Sequence, residues 1–364
     1  MEDYLNVINN EEILSILSWD KQNLLETFRR CQTHEMGGRI LVCDECGNKV
    51  VKYYPCNKRG CFKCAPINQK RWQEKTKRHV LPTGHFHQVF KVPTDTFYYV
   101  WKHDEKKFIN TLFRSVQKAY KEEMKHMGIT PGILMVFQSH GEGLSIQLHM
   151  HCVVTMGGIT ESGNWVPIKK LNEKRLEANY KEYFYAEVSK NYKEGYWNTL
   201  RPLLLNDERE KLTVYTTYHQ ENAEAVINYL SKSLCGLVVA PKDLRFDIEK
   251  LIAHIRNPRK ETETDLSQRE FIRRFLEHIP MDGEVLVRHY GLYSNLYKEK
   301  REHIREKVFN CKNEESEETG HEVCSECGSP LRVETEFEAD RLPLVIRLQL
   351  NKGSPPKHGE LLVA

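Results

Sequence analysis

Residues 132–155 read GILMVFQSHGEGLSIQLHMHCVVT. Two apolar runs, 132–139 and 145–155, flank the short polar link His140-Gly141-Glu142-Gly143, which is the pattern of an antiparallel hairpin. In the second run successive side chains alternate between faces, so His149 and His151 share one face and Met150 points to the other. Two imidazoles so placed can hold one divalent ion, although paired histidines on a strand are often only surface or cross-strand neighbours. The surroundings favour the metal reading: Glu142 at the hairpin turn, His87 in a preceding strand-like run, and Tyr229 in a later helical one.

Outward from the hairpin, residues 85–92 alternate like a strand and stop at Pro93, while 106–127 read as a helix ended by Gly128. Residues 212–218 read as another strand and 221–234 as a helix; 10–30 carry helical apolar spacing. The charged, tyrosine-rich stretch 157–210 reads as an insertion with a helix near 169–190. A second helical unit runs over about 266–297, and the tail beyond Pro343 reads as loosely ordered. The expected division is therefore 1–78, 79–245, a helical region at 246–300, and 301–364.

The composition, 40% hydrophobic and 29% charged with no apolar run of membrane-spanning length, is that of a globular chain. The N-terminus MEDYLNVINNEEILSIL is acidic where a secretory leader is basic, so an intracellular, cytoplasmic protein is expected. The net charge of +3 hides an asymmetry: residues 52–80 hold nine Lys or Arg against the single acid Glu74. Lys58, Arg59, Lys63, Lys70 and Arg71 beside Trp72 suit phosphate contact with base stacking, which makes DNA the expected partner; a solvated basic surface is the plainer reading.

The eleven cysteines cluster, which argues for metal rather than disulfides. Cys43-x2-Cys46 and Cys61-x2-Cys64 lie fourteen residues apart, close to the separation in a four-cysteine zinc ribbon. Cys31, His34 and Cys56 are left over, and can make a second site or substitute in the first. Near the end, Cys324-x2-Cys327-Gly328 lacks an obvious second pair, though Cys311 and His321 lie upstream; a mobile pair of thiols is the alternative.

From residue 30 to 297 the chain resembles the rolling-circle transposases of insertion sequence ninety-one and the related common-region elements. The resembling stretches are CQTHEMGGRILVCDECG, CNKRGCFKC, LPTGHFHQVFKVP, HMHCVVTMGG, INYLSKSL and EFIRRFLEHIPMDGEVLVRHYGLYSN, in the family's order. The resemblance implies an α+β fold: an HUH endonuclease core, an antiparallel sheet with flanking helices, preceded by a cysteine zinc ribbon and followed by a helical region. It gives His149 and His151 the role of Mg2+ or Mn2+ ligands, Tyr229 that of the nucleophile, and the cysteines a structural zinc domain that binds DNA. The implied substrate is single-stranded DNA at transposon ends, nicked and rejoined through a 5'-phosphotyrosine. A phenol with a pKa of about 10 attacks poorly at neutral pH, so a nearby cation is required.

The chain departs from the family at three places. Gln147 stands where the family commonly has a first histidine, Ser233 where many members carry a second tyrosine, and Glu142 where glutamine is usual. A single-tyrosine scheme is therefore expected, with Glu142 favoured over Gln138 and Gln147 as the third metal ligand. A replication initiator or relaxase would share the histidines and tyrosine, and a catalytically silent zinc-dependent DNA-binding protein would keep only the cysteines.

Overall fold

The computed structural model describes residues 14–191, 211–220, 222–235, 237–247, 249–257, 260–280, 283–311, 322–343, 346–347 and 358–359. The chain enters through α1 (Trp19–Arg30), which buries Leu25 and Phe28, and turns through a hairpin of β1 (Gly38–Cys43) and β2 (Lys49–Tyr53). Next comes α2 (Ala65–His79), which starts directly after Cys64 with Pro66 in its first turn, where a missing N–H costs nothing.

The central sheet comprises β3 (His85–Lys91), β4 (Thr130–His140), β5 (Ile146–Ile159), β7 (Thr213–Gln220) and β11 (Val287–Gly291) in the spatial order β11-β4-β5-β3-β7. The short β6 (Trp165–Pro167) pairs with β5, and every pairing is antiparallel. One face is covered by α3 (Thr94–His103), α4 (Glu105–Met127) and α5 (Glu173–Asn191). There Phe86, Phe90, Met150 and Cys152 pack with Phe97, Phe108, Phe113, Tyr180 and Phe184. The long α4 begins where the Asp104 carboxylate accepts from Lys107 N–H at 2.9 Å and ends at Gly128 in the left-handed conformation.

The opposite face carries α6 (Ala223–Cys235), α2 and α8 (Lys298–Lys307) over Leu134, Val136 and Val153. Alternation along β5 therefore sends Met150 into the α4 side and His149 and His151 toward α6. The fold is the expected α+β arrangement of an antiparallel sheet between helices.

Two expectations are corrected. The supposed insertion is core: Leu176, Tyr180 and Phe184 of α5 are fully buried against α4, and truncating such an aromatic costs about 3–5 kcal/mol. Its charged, weakly periodic sequence hid a buried stripe; residues 192–210 of it lie outside the described residues. Nor is the region 246–300 a helical unit. Strands β8 (Leu244–Asp247), β9 (Ile252–Asn257) and β10 (Thr262–Ser267) form a small sheet that feeds α7 (Gln268–Glu277), and β11 then joins the central sheet. The apolar face of α7, Phe271, Ile272, Phe275 and Leu276, packs with Leu25, Phe28, Cys31, Cys61 and Cys64. Finally β12 (Leu331–Phe337) pairs with β1, so segments some 280 residues apart share one three-stranded sheet in the order β12-β1-β2.

Candidate active site and cysteine clusters

The register of the hairpin places Gln138 directly opposite His149 and Val136 opposite His151. Cross-strand partners share a face, so the Gln138 amide lies beside both imidazoles. Gln138 Oε1 stands 2.6 Å from His151 Nε2 and 3.1 Å from His149 Nε2, and the two Nε2 atoms are 3.0 Å apart. A divalent ion with ligands at roughly 2.1 Å sets neighbouring ligand atoms about 3.0 Å apart, so this triangle has the size of one face of its coordination octahedron.

Each of the three groups is turned toward that face by a bond on its far side. His149 Nδ1–H donates to the Gln147 carbonyl at 2.8 Å. His151 Nδ1–H donates to His87 Nε2 at 2.9 Å, His87 Nδ1–H to Thr217 Oγ1 at 2.6 Å, and the Thr217 hydroxyl to the His87 carbonyl at 3.3 Å. Gln138 Nε2–H donates to His140 Nε2 at 2.7 Å, which leaves Oε1 facing the histidines. These tautomers follow from the network and leave both Nε2 lone pairs free for a metal. Burial holds the rings neutral: it pulls His149 and His87 down to about 4 and His151 well below the ordinary histidine range. Two imidazole nitrogens and one amide oxygen can together hold one divalent ion.

Tyr229 comes to this centre from α6. Its hydroxyl lies 3.4 Å from His151 Nδ1, and its ring centroid is 4.7 Å from that of His87. The helix is held in place by α2. Gln69 Nε2 and Gln73 Nε2 donate to the buried Ser231 hydroxyl at 3.2 and 2.9 Å, Gln73 also donates to Asn228 Oδ1 at 3.2 Å, and Lys77 pairs with Glu224 at 3.4 Å. Because α2 begins directly after Cys64, a cysteine cluster buttresses the tyrosine helix.

Glu142 falls in a short 3-10 turn, Glu142–Leu144, between β4 and β5; its side chain, like that of Ser233, lies outside the described residues. Gln138, one of the two alternatives weighed beside Glu142, is the residue that the hairpin register sets next to both histidines.

The cysteines group differently from expectation. Cys31, Cys56, Cys61 and Cys64 converge with all four sulfurs within 4.8 Å, and Cys43, Cys46, Cys324 and Cys327 do the same. Cys43 and Cys46 therefore do not meet Cys61 and Cys64. Strand geometry is the reason: the pair at the far tip of the β1–β2 hairpin lies a strand's length, about 17 Å, from the end to which the chain returns at Tyr54. His34 sits in a 3-10 turn and Cys311 Sγ donates to the Phe309 carbonyl, both outside the two clusters, and His321 lies outside the described residues.

The basic residues also separate. Lys70 and Arg71 are exposed on α2. Trp72 is half-buried against the cluster of Val80, Leu134 and Ile227, so its ring packs inward instead of offering an open stacking platform. Arg59 is turned inward beside Ser139 and His278, with burial pulling its guanidinium down to about 10. Lys63 Nζ donates to the Cys31 carbonyl at 2.5 Å. Among the described residues no helix is long and apolar enough to cross a membrane.

Two family models match the chain: the transposase zinc-binding domain over residues 2–92 and "Putative transposase" over 132–301. Among curated proteins it is 24% identical over 314 residues to "Putative transposase y4qJ" of Sinorhizobium fredii, spanning 78% of this chain and 77% of that one. It is 23% identical over 290 residues to "Transposase for insertion sequence element IS801" of Pseudomonas savastanoi pv. phaseolicola, spanning 73% and 68%. No solved structure gives a significant match. The zinc-binding domain and the four-thiol clusters support structural zinc. With the two models lying in order along the chain and both relatives matched over most of their length, the chain is similar along most of its length to transposases that carry the insertion sequence ninety-one type of zinc-binding domain.

Proposed function

We propose that this transposase nicks and rejoins single-stranded DNA at element ends, with Tyr229 as the sole nucleophile. The observation that carries the reading is the placement of the Tyr229 hydroxyl 3.4 Å from Nδ1 of His151, the ring whose Nε2 completes the triangle with Gln138 and His149. Tyr229 Oη forms a bond to the scissile phosphorus, the P–O3' bond breaks, and the 3' oxygen leaves as a hydroxyl while the phenol's proton passes to solvent. The 5' phosphate stays on the tyrosine. A 3' hydroxyl then attacks the same phosphorus, and the tyrosine oxygen departs with a proton regained. One phosphoester replaces another at each step, so no external energy source is needed.

Gln138, His149 and His151 would hold Mg2+ or Mn2+, which when bound favours the phenolate and offsets charge developing on the phosphate. The chain's own residues supply orientation. His87 and Thr217 fix His151, the Gln147 carbonyl fixes His149, and α2 fixes the helix that carries Tyr229. Exposed Lys70, Arg71, Lys75, Lys77 and Arg78 on α2 would guide the backbone of the strand past the tyrosine. The test is a covalent adduct, stable in SDS, between the purified protein and a single-stranded element end in Mg2+ or Mn2+. His149→Ala and His151→Ala should each abolish it while binding persists; full nicking by either variant would remove the reading.

A further inference from the structure

The family's zinc-binding domain, matched over residues 2–92, contains only two of the four thiols in the second cysteine cluster. The other two come from Cys324 and Cys327, some 280 residues further along the chain. Both pairs sit in the same turn. Gly47 N–H donates to the Cys43 carbonyl at 2.9 Å and Cys43 N–H to the Asn48 carbonyl at 2.9 Å. Gly328 N–H donates to the Cys324 carbonyl at 2.9 Å and Cys324 N–H to the Ser329 carbonyl at 2.8 Å. Gly47 and Gly328 take φ of 72° and 74°, the left-handed turn that aims two thiolates at one ion.

We propose that these two knuckles form a zinc ribbon assembled from two segments distant in the chain, and that the protein binds two Zn2+ ions, the second held by Cys43, Cys46, Cys324 and Cys327. Sulfur separations are 3.4 Å for Cys43–Cys327 and 3.6 Å for both Cys46–Cys324 and Cys46–Cys327. These exceed a disulfide bond of about 2.05 Å and approach the edge of about 3.8 Å expected of a tetrahedron with Zn–S near 2.3 Å. Cys46 and Cys327 are exposed, so hydrophobic burial does not account for their convergence.

The surroundings are built to join the two segments. β12 runs antiparallel to β1 with Cys43 opposite Leu331 and Gly38 opposite Phe337. Leu41, Val50 and Leu331 pack around Cys43 and Cys324. Oppositely charged side chains meet across the seam: Arg39 with Glu322 at 3.1 Å, Lys49 with Glu334 at 2.5 Å and Arg332 with Asp44 at 2.7 Å. These pairs are exposed and worth little each, but they favour this register. A five- to seven-residue-stranded sheet with so small a core depends on its ion, so the ribbon cannot form until the C-terminal knuckle is present.

The measurement is metal content of the purified full-length protein, by elemental analysis for zinc and iron, without DNA, so its outcome is independent of the reaction proposed above. Two zinc per chain are expected, falling to one in Cys324→Ser/Cys327→Ser and to one in Cys31→Ser/Cys56→Ser. One zinc in the unaltered chain, two in the Cys324/Cys327 variant, or iron in place of the second zinc would overturn the proposal. Thiol alkylation of the unaltered chain avoids any folding defect of the variants: exposed Cys46 and Cys327 should react at least about tenfold faster after chelation. Equal rates before and after would also overturn it.

Discussion

The Gln138 side-chain amide donates to His140 Nε2 at 2.7 Å, and this bond decides which end of the amide faces His149 and His151. Burial, reinforced by Arg59 and His278 nearby, keeps His140 far below the ordinary histidine range, so it is neutral and can accept. A double-mutant cycle isolates the effect. His140→Ala should weaken Mn2+ binding, read by electron paramagnetic resonance, by about tenfold, the usual scale for a partner behind a ligand. In a Gln138→Glu background both ends of the side chain are oxygen, and the same change should cost little. Equal losses in both backgrounds would mean that His140 only supports the fold.

Tyr229→Phe keeps the ring against His87 and removes only the hydroxyl. Thermal stability should fall by no more than about 1 kcal/mol, the net value of one hydrogen bond, while adduct formation is lost. Retained adduct formation would move the nucleophile elsewhere, with Tyr215, half-exposed on β7, and Tyr218 of the same strand to be mapped next.

Ser231 ties the tyrosine helix to α2, and its hydroxyl is buried between Gln69 and Gln73. Ser231→Ala should destabilise by about 1 kcal/mol, the net value of such bonds, and slow adduct formation more than it weakens DNA binding. If rate and stability are both unchanged, α2 does not position Tyr229.

The acid side of the stability curve should carry a histidine signature. His85 is fully buried, 2.6 Å from the Tyr293 hydroxyl, and burial pulls it down to about 4. An unfolded histidine protonates near 6.5, so below that pH the unfolded state binds the extra proton. The stability contributed by keeping His85 neutral is complete above about pH 6.5 and is lost as pH falls toward 4. At about 1.4 kcal/mol per pH unit this amounts to roughly 3 kcal/mol, and chemical unfolding of His85→Gln should show a correspondingly flatter slope. His278, also pulled to about 4 by burial, would preserve part of the slope in that variant. An unchanged slope would show that His85 is not the group responsible.

Much of the centre was legible because strand alternation and helix periodicity are local. His149 and His151 share a face as the period of two requires, and Tyr229 lies on the helix expected of its apolar spacing. What the sequence reading missed or left open depends on contacts distant in the chain. Gln138 becomes a neighbour of His149 only when the hairpin register is fixed. The partners of Cys43 and Cys46 arrive with the last strand, so the nearest Cys-x2-Cys in sequence was the wrong one. Arg59 reads as one more basic surface residue, yet the turn before Cys61 directs it inward. The helix within 157–210 carries its buried face on tyrosines and phenylalanine among charges, which blurs the pattern that marks a core helix.

The most direct measurement is to mix the zinc-loaded protein with a 5'-extended single strand spanning an element end in Mn2+, denature, digest, and locate the nucleotide-bearing peptide by mass spectrometry. The account predicts one adduct, a 5' phosphate on Tyr229, absent from Tyr229→Phe and from His151→Ala. A cleaved strand with no adduct, or an adduct on another residue, would contradict it.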